Sequence, residues 1–243
     1  MFFGFFWGDW TVIILIPAMI FAFWAQINVQ TTFSRYKRVS NRRGLTAAGV
    51  ARQILDANGL GYVQIQRVSG NLTDHYDPTA QVVRLSDSVY DSTSVAAIGV
   101  AAHEVGHACQ HAEGYAPLRI RNAIIPVTRI GSGLAMPLFI LGLLFSGAAS
   151  TGTLIGDYFM VAGILLFSLS TLFQLLTLPT EFNASARALQ TLENRAILDG
   201  NELAGARSTL RAAALTYVAA LASSLASLLR LLLIFGGSRS RRN

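Results

Sequence analysis

The sequence predicts a mainly α-helical, multi-pass membrane protein with a small α+β domain between its first and second membrane segments. Its 243 residues are 52% hydrophobic and only 13% charged, which is too apolar for a soluble globular domain. The apolar residues form uncharged stretches that approach the roughly 20 residues a spanning helix needs. Between these stretches the pattern changes to capped helices and alternating strands, which is typical of a soluble domain.

Four apolar segments are predicted to meet the membrane, at residues 10–25, 130–149, 158–179 and 212–235. The first has no basic residue before it, so we interpret it as a retained anchor and not as a cleaved signal peptide. The fourth contains Arg230. An amphipathic helix lying in the membrane interface is the alternative for this segment.

Basic residues predict the orientation. They follow the first apolar segment directly and none precedes it, so the positive-inside rule places residues 26–122 on the cytoplasmic side of the cell membrane. Four full crossings would then put the tail with Arg239, Arg241 and Arg242 outside, which conflicts with the same rule. Either the fourth segment does not cross the membrane or the tail is an exception to the rule. Because the basic residues lie beside membrane segments, the net charge of +6 indicates anionic lipid headgroups and no nucleic-acid partner.

The soluble region begins with a helix that Thr46 caps and Gly59 ends. Residues 62–68 alternate apolar and polar side chains, as a half-buried strand does. Residues 72–78 and 80–86 predict two more strands joined at the turn dipeptide Asp77–Pro78. Together these segments predict a small antiparallel sheet.

The next helix carries the residues that indicate chemistry. It is capped by Ser92 or Ser94, ends at Gly114 and contains His103-Glu104-Val105-Gly106-His107. Two histidines four residues apart lie on one helical face and can reach one metal ion. Neutral imidazole is a good zinc ligand, and the intervening glutamate can take a proton from the attacking water. Two unrelated histidines one turn apart are the alternative, which the helical context disfavours.

A third metal ligand is expected from later in the chain. His111 lies eight residues beyond His103, about 12 Å along a helix and too far for the same ion. Glu181 is the preferred ligand, because it begins a predicted cytoplasmic helix just after the third membrane segment. Three other acidic residues are alternative ligands, but they lie on a more polar stretch that is predicted to be solvated: Glu193, Asp199 and Glu202.

The remaining metal-binding residue types are weaker candidates. Cys109 lies on the wrong side of the helix to join the metal that His103 and His107 would hold. His75 is either near the site or a turn residue.

Several motifs resemble the YugP-like membrane zinc metallopeptidases: SVAAIGVAAHEVGHACQHAEGYAPLRIRNAIIPV, LTDHYDP, LPTEFNASARAL and AAALTYVAA. That family is in turn distantly similar to the HtpX-type and CaaX-prenyl membrane proteases, in which the third ligand is the glutamate of an ExxxD motif. The resemblance implies a gluzincin-like fold with Glu181 as that ligand. Ser185 stands where the aspartate would be, so Ser185 or Asn183 is expected to orient a histidine ligand in its place.

The sequence thus predicts a zinc-dependent membrane endopeptidase, with Zn²⁺ held by His103, His107 and Glu181 and with Glu104 as general base. Its substrates would be proteins or peptides, in a quality-control role that the resemblance suggests. An extended substrate would pair with the strand near Val82 to Leu85. A non-catalytic membrane subunit with a structural metal site is the alternative, and assembly with other membrane proteins or further copies of the chain stays open.

These interpretations divide the chain into five parts: an N-terminal transmembrane helix (1–25), a catalytic part with the sheet and the HExxH helix (26–122), a transmembrane hairpin (123–179), a cytoplasmic helix with the third ligand (180–211), and a C-terminal membrane helix with a basic tail (212–243).

Overall fold

The computed structural model describes residues 10–148 and 153–240. These residues form a 3₁₀ turn (Trp10–Ile14), six α-helices and three β-strands. In chain order the elements are α1 (Leu15–Tyr36), α2 (Ala47–Ala57), β1 (Gln64–Val68), β2 (His75–Asp77), β3 (Val82–Ser86), α3 (Val95–Ala112), α4 (Ala116–Ala148), α5 (Thr153–Asn194) and α6 (Gly200–Ser240).

The chain divides into two compact units. Of the described residues, one unit comprises those up to Trp24, those between Ile120 and Thr177, and those from Tyr217 onward. The other comprises Ala25–Arg119 and Leu178–Thr216, and it contains the sheet and α3.

Four helices are long and apolar enough to cross a membrane: Trp10–Tyr36, Ala116–Ser146, Leu154–Asn194 and Gly200–Ser238. The prediction of four apolar membrane helices is therefore confirmed by length and composition. The predicted turn after the second membrane segment lies largely outside the described residues, as do Arg241 and Arg242 of the tail.

Small residues let α4 and α5 approach closely within the first unit. A Cβ added to Gly142 would lie 2.6 Å from the backbone nitrogen of Met160. A Cβ added to Gly163 would lie 2.6 Å from the carbonyl oxygen of Ala135. Such backbone contact is the usual way in which membrane helices pack, because lipid gives them no hydrophobic driving force to associate.

The second unit is organised around α2 and α3, whose predicted caps are confirmed. Thr46 accepts a hydrogen bond from the backbone N–H of Gly49, and Ser94 accepts one from Ala97. Gly114 follows α3 with a φ of +66°, a left-handed conformation that glycine adopts without strain. A continuous apolar core joins these helices to the sheet and to the later helices, with fully buried side chains that include Leu55, Leu85, Ile98, Leu192 and Leu198.

The sheet differs from the predicted one. Its strand order is β1-β3-β2, with β2 antiparallel to β3 as predicted but β1 parallel to β3. The prediction of a purely antiparallel sheet is therefore wrong, because alternation identifies a strand and carries no information about its partner. The strand at Val82–Ser86 is central, so it cannot offer an edge to a substrate, and the outer strands are β1 and β2.

Helix α5 also differs from prediction. Glu181 was expected to begin a separate helix, but α5 continues from Thr153 through Pro179 to Asn194. Proline removes one backbone hydrogen bond of a helix interior and ends many helices in water. Neighbouring groups can compensate for that loss in a membrane helix. Glu181 therefore lies inside a long helix, two residues after Pro179.

Candidate metal centre

Helix α3 supplies two histidines and a glutamate to one buried region. Its residues before His103 are almost all small or apolar and buried, so the helix runs through the core of the second unit. His107 retains only 9% of its accessible surface and Glu104 only 8%. Ionisable side chains are costly to bury without partners. Two of them buried on one helix therefore mark this region as a candidate site.

Helix α5 brings Glu181 against both histidines. Its Oε2 atom lies 3.2 Å from Nε2 of His103 and 3.6 Å from Nε2 of His107. The two imidazole rings stand nearly perpendicular, at 85°, with their centroids 4.7 Å apart. Glu181 is itself 2% exposed, so a buried carboxylate oxygen and two ring nitrogens point toward one place.

This donor set fits zinc. One ligand atom from each of the three residues lies within 4.8 Å of the other two. In a tetrahedral site with bonds of about 2.0–2.1 Å, neighbouring ligand atoms are separated by about 3.3 Å, close to the two distances between the histidine nitrogens and Glu181. Three protein ligands of this kind are typical of a catalytic zinc site, which keeps its fourth position open.

Each histidine is also held through its other ring nitrogen. Nδ1 of His103 lies 3.1 Å from the hydroxyl oxygen of Ser185, and Nδ1 of His107 lies 3.0 Å from Oε1 of Gln110. The Ser185 contact agrees with the expectation that this serine replaces an aspartate. Sequence reasoning did not identify Gln110 as a partner of His107. Gln110 lies three residues after His107 on the same helical face, and this spacing is the sequence signal that indicates a contact between the two side chains.

Negative charge surrounds the histidines. Burial lowers the pKa of His107, but hydrogen bonding to the Glu181 carboxylate and the charge of Glu104 outweigh burial and leave the pKa raised. Burial raises the pKa of Asp74, despite hydrogen bonds from Ser86 to its carboxylate, and the charge of Glu104 raises it further. This electrostatic field favours a cation between α3 and α5.

The other histidines take different positions. His111 contacts Tyr76, whose hydroxyl oxygen lies 2.9 Å from its Nδ1. His75 is exposed, with Nδ1 2.9 Å from the carbonyl oxygen of Thr73. Neither belongs to the cluster that could hold a metal among the described residues.

The competing residues are also outside that cluster. Glu202 accepts a hydrogen bond of 2.8 Å from the backbone N–H of Arg42. Cys109 is buried, and burial raises the pKa of its thiol, which does not favour the thiolate form that metals bind.

Comparison with known proteins agrees with this geometry. The family model described as "Putative neutral zinc metallopeptidase" matches residues 11–236. The chain belongs to this family. It is also 48% identical over 228 residues to the "Putative membrane protease YugP" of Bacillus subtilis (strain 168), a match that covers 94% of this chain and 97% of that protein. No solved structure is detectably similar to the chain.

Zinc is the metal that this family name specifies, and the cluster of His103, His107 and Glu181 could hold it. The comparison also confirms the membrane context that the four apolar helices indicate.

Proposed function

We propose that this protein is a zinc-dependent endopeptidase with His103, His107 and Glu181 as metal ligands and Glu104 as general base. The observation that carries the proposal is the convergence of two imidazole nitrogens on one buried carboxylate oxygen, at 3.2 and 3.6 Å. The order of the ligands, two from an HExxH helix and one from a later helix, is that of a gluzincin-like site.

Zinc in such a site acts as a Lewis acid and lowers the pKa of water toward neutrality. The chain's own contribution is proton transfer and alignment. Glu104 takes a proton from the water whose oxygen bonds to the peptide carbonyl carbon. It then gives that proton to the amide nitrogen as the carbon–nitrogen bond breaks, so one water is consumed and a carboxyl and an amino terminus are formed. Ser185 holds the ring of His103 in its orientation.

The chief competing function is a structural zinc site in a non-catalytic membrane subunit. A structural zinc is usually enclosed by four protein ligands, whereas three residues converge in the described part of this chain. A structural site also has no use for a buried carboxylate between its first two ligands. Both features favour an enzyme.

We infer a cytoplasmic active site from the arginines and lysine that follow α1. The substrates would be unfolded proteins or segments released from the membrane, in a quality-control role. An extended polypeptide could pair with the outer strand β2, which lies beside α3 and is joined to it by the contact between Tyr76 and His111. Pairing of this kind recognises backbone and tolerates varied side chains.

The test uses the full-length chain purified in detergent. We expect about one zinc per chain by elemental analysis and cleavage of an unfolded, fluorescently labelled protein. A chelator should stop cleavage, and added zinc should restore it. Stoichiometric zinc together with no cleavage of unfolded proteins, peptides or co-reconstituted membrane proteins would favour the structural alternative.

A further inference from the structure

A chain of buried polar side chains connects the second histidine to helix α5. Gln110 is completely buried. Its Oε1 faces Nδ1 of His107 at 3.0 Å, and its Nε2 donates hydrogen bonds of 2.9 Å to the carbonyl oxygen of Thr180 and to Oδ1 of Asn183. One amide thus touches a proposed ligand on α3 and two residues near Glu181 in α5, the one before it and the one two positions after it.

The chain continues to the surface through Arg187. Its Nε donates to Oδ1 of Asn183 at 2.7 Å, and its Nη1 donates to Oε1 of Glu113 at 2.7 Å. The hydrogen bond from Arg187 keeps the pKa of Glu113 below its usual range. Glu113 therefore stays ionised and anchors the outer end of the chain.

The donors and acceptors at the two ends of this series of hydrogen bonds determine the direction of every hydrogen bond in it. A guanidinium can only donate, so the oxygen of Asn183 must face Arg187. The same oxygen and the Thr180 carbonyl can only accept, so the amide nitrogen of Gln110 must face them. The oxygen of Gln110 is then left for His107, whose Nδ1 must carry the proton. In the neutral ring, its Nε2, the atom near Glu181, then presents a lone pair.

We infer that Gln110 is a positioning residue, oriented by Asn183 and Arg187, that fixes the tautomer of His107 with Nε2 available to the metal. This inference rests on the proposed zinc site. It assigns the HExxH helix a further functional residue three positions after the second histidine. Gln110 also hydrogen-bonds α3 to the turn of α5 that bears Glu181. It therefore affects both the orientation of His107 and the distance between His107 and Glu181.

The test measures zinc affinity by chelator competition on the full-length protein, together with the visible absorption of the cobalt-substituted form. Gln110→Leu keeps the side-chain volume and removes both hydrogen-bonding functions. We expect zinc affinity to fall by about 10- to 100-fold, as for other residues that orient a ligand, and the cobalt bands to shift because His107 is no longer held. Thr209→Val is the matched control, since Thr209 is a buried polar residue whose hydroxyl donates to Gly205 of its own helix. It should leave both readouts unchanged.

A second pair of variants, Asn183→Leu and Asn183→Asp, tests the relay without changing α3. Asn183→Leu should weaken zinc binding less than Gln110→Leu, and the double variant should bind no more weakly than Gln110→Leu alone, because Asn183 acts through Gln110. Asn183→Asp keeps an oxygen for both donors and should restore affinity. This pair decides the question if Gln110→Leu does not fold.

Parental zinc affinity and an unchanged cobalt spectrum in Gln110→Leu would overturn the inference, even if its melting temperature falls. Undiminished zinc affinity in Asn183→Leu would overturn the relay. These failures differ from failure of the proposed function, in which the parent protein binds zinc through His107 but cleaves no peptide.

Discussion

Gly106 lies directly against Ala184, so that a Cβ on residue 106 would be 2.8 Å from the Ala184 carbonyl oxygen. This contact brings α3 and α5 together between His103 and His107 on one helix and just past Glu181 on the other. The glycine inside the HExxH motif therefore has a packing function. It allows the Glu181 carboxylate to reach the two imidazoles.

Gly106→Ala should separate the two helices. Overpacking against backbone typically costs about 1–3 kcal/mol, so we expect a lower melting temperature and a loss of zinc affinity as Glu181 moves away. Gly133→Ala is the control, because a Cβ there meets no atom within 4 Å, and it should behave as the parent. Unchanged zinc affinity in Gly106→Ala would show that the close approach does not set the position of Glu181.

The third ligand can be tested by an isosteric change. Glu181→Gln keeps the shape of the side chain and removes its anionic oxygen donor, so zinc affinity should fall by more than the 10- to 100-fold typical of residues that only orient a ligand. The measurement is chelator competition with inductively coupled plasma analysis of the purified protein.

Three variants serve as controls for Glu181→Gln: Glu193→Gln, Glu202→Gln and His111→Gln. None of these residues belongs to the metal cluster, so each variant should retain zinc. Retention of zinc by Glu181→Gln together with its loss from one of the controls would reassign the third ligand.

Ser185 should have an intermediate effect. Its hydroxyl lies 3.1 Å from Nδ1 of His103, so Ser185→Ala leaves the ligand in place but free to rotate. We expect zinc affinity to fall by about 10- to 100-fold. Ser185→Asp restores the carboxylate of the related ExxxD motif and should bind zinc at least as well as the parent. An alanine variant with parental affinity would mean that packing alone orients His103.

The sequence predicted the HExxH helix well because its signals are local. Ser94 and Gly114 mark its ends through capping and backbone conformation, and the spacing of His103 and His107 follows from helical periodicity. The choice of Glu181 came from its place after a membrane segment and from a family resemblance. Both signals can be recognised from the sequence without knowledge of the tertiary structure.

The features that the sequence did not reveal depend on contacts between distant segments. Parallel pairing of β1 with β3 places β2 on the far side, which strand alternation cannot specify. Continuity of α5 through Pro179 depends on surroundings that replace a lost hydrogen bond. The spacing of Gln110 from His107 is local, but the contacts of Gln110 with Asn183 and Thr180 become visible only in the tertiary structure.

The orientation can be tested with a reporter that is active only in the cytoplasm. Because the basic residues follow α1 and none precedes it, fusions after Arg43 and after Glu193 should be active. An insertion between residues 146 and 153 should be inactive. The reverse pattern would place the proposed active site in the other compartment.

Glu104 is the residue that we propose makes the zinc site a peptidase. Glu104 is 8% exposed and is not one of the three clustered residues, so Glu104→Gln should keep about one zinc per chain while cleavage of an unfolded protein falls by roughly 100-fold or more, the usual contribution of general acid–base catalysis. The decisive measurement is zinc content and cleavage rate on the same purified Glu104→Gln sample. Full zinc occupancy with cleavage abolished is the predicted result, and full occupancy with cleavage at the parental rate would contradict it.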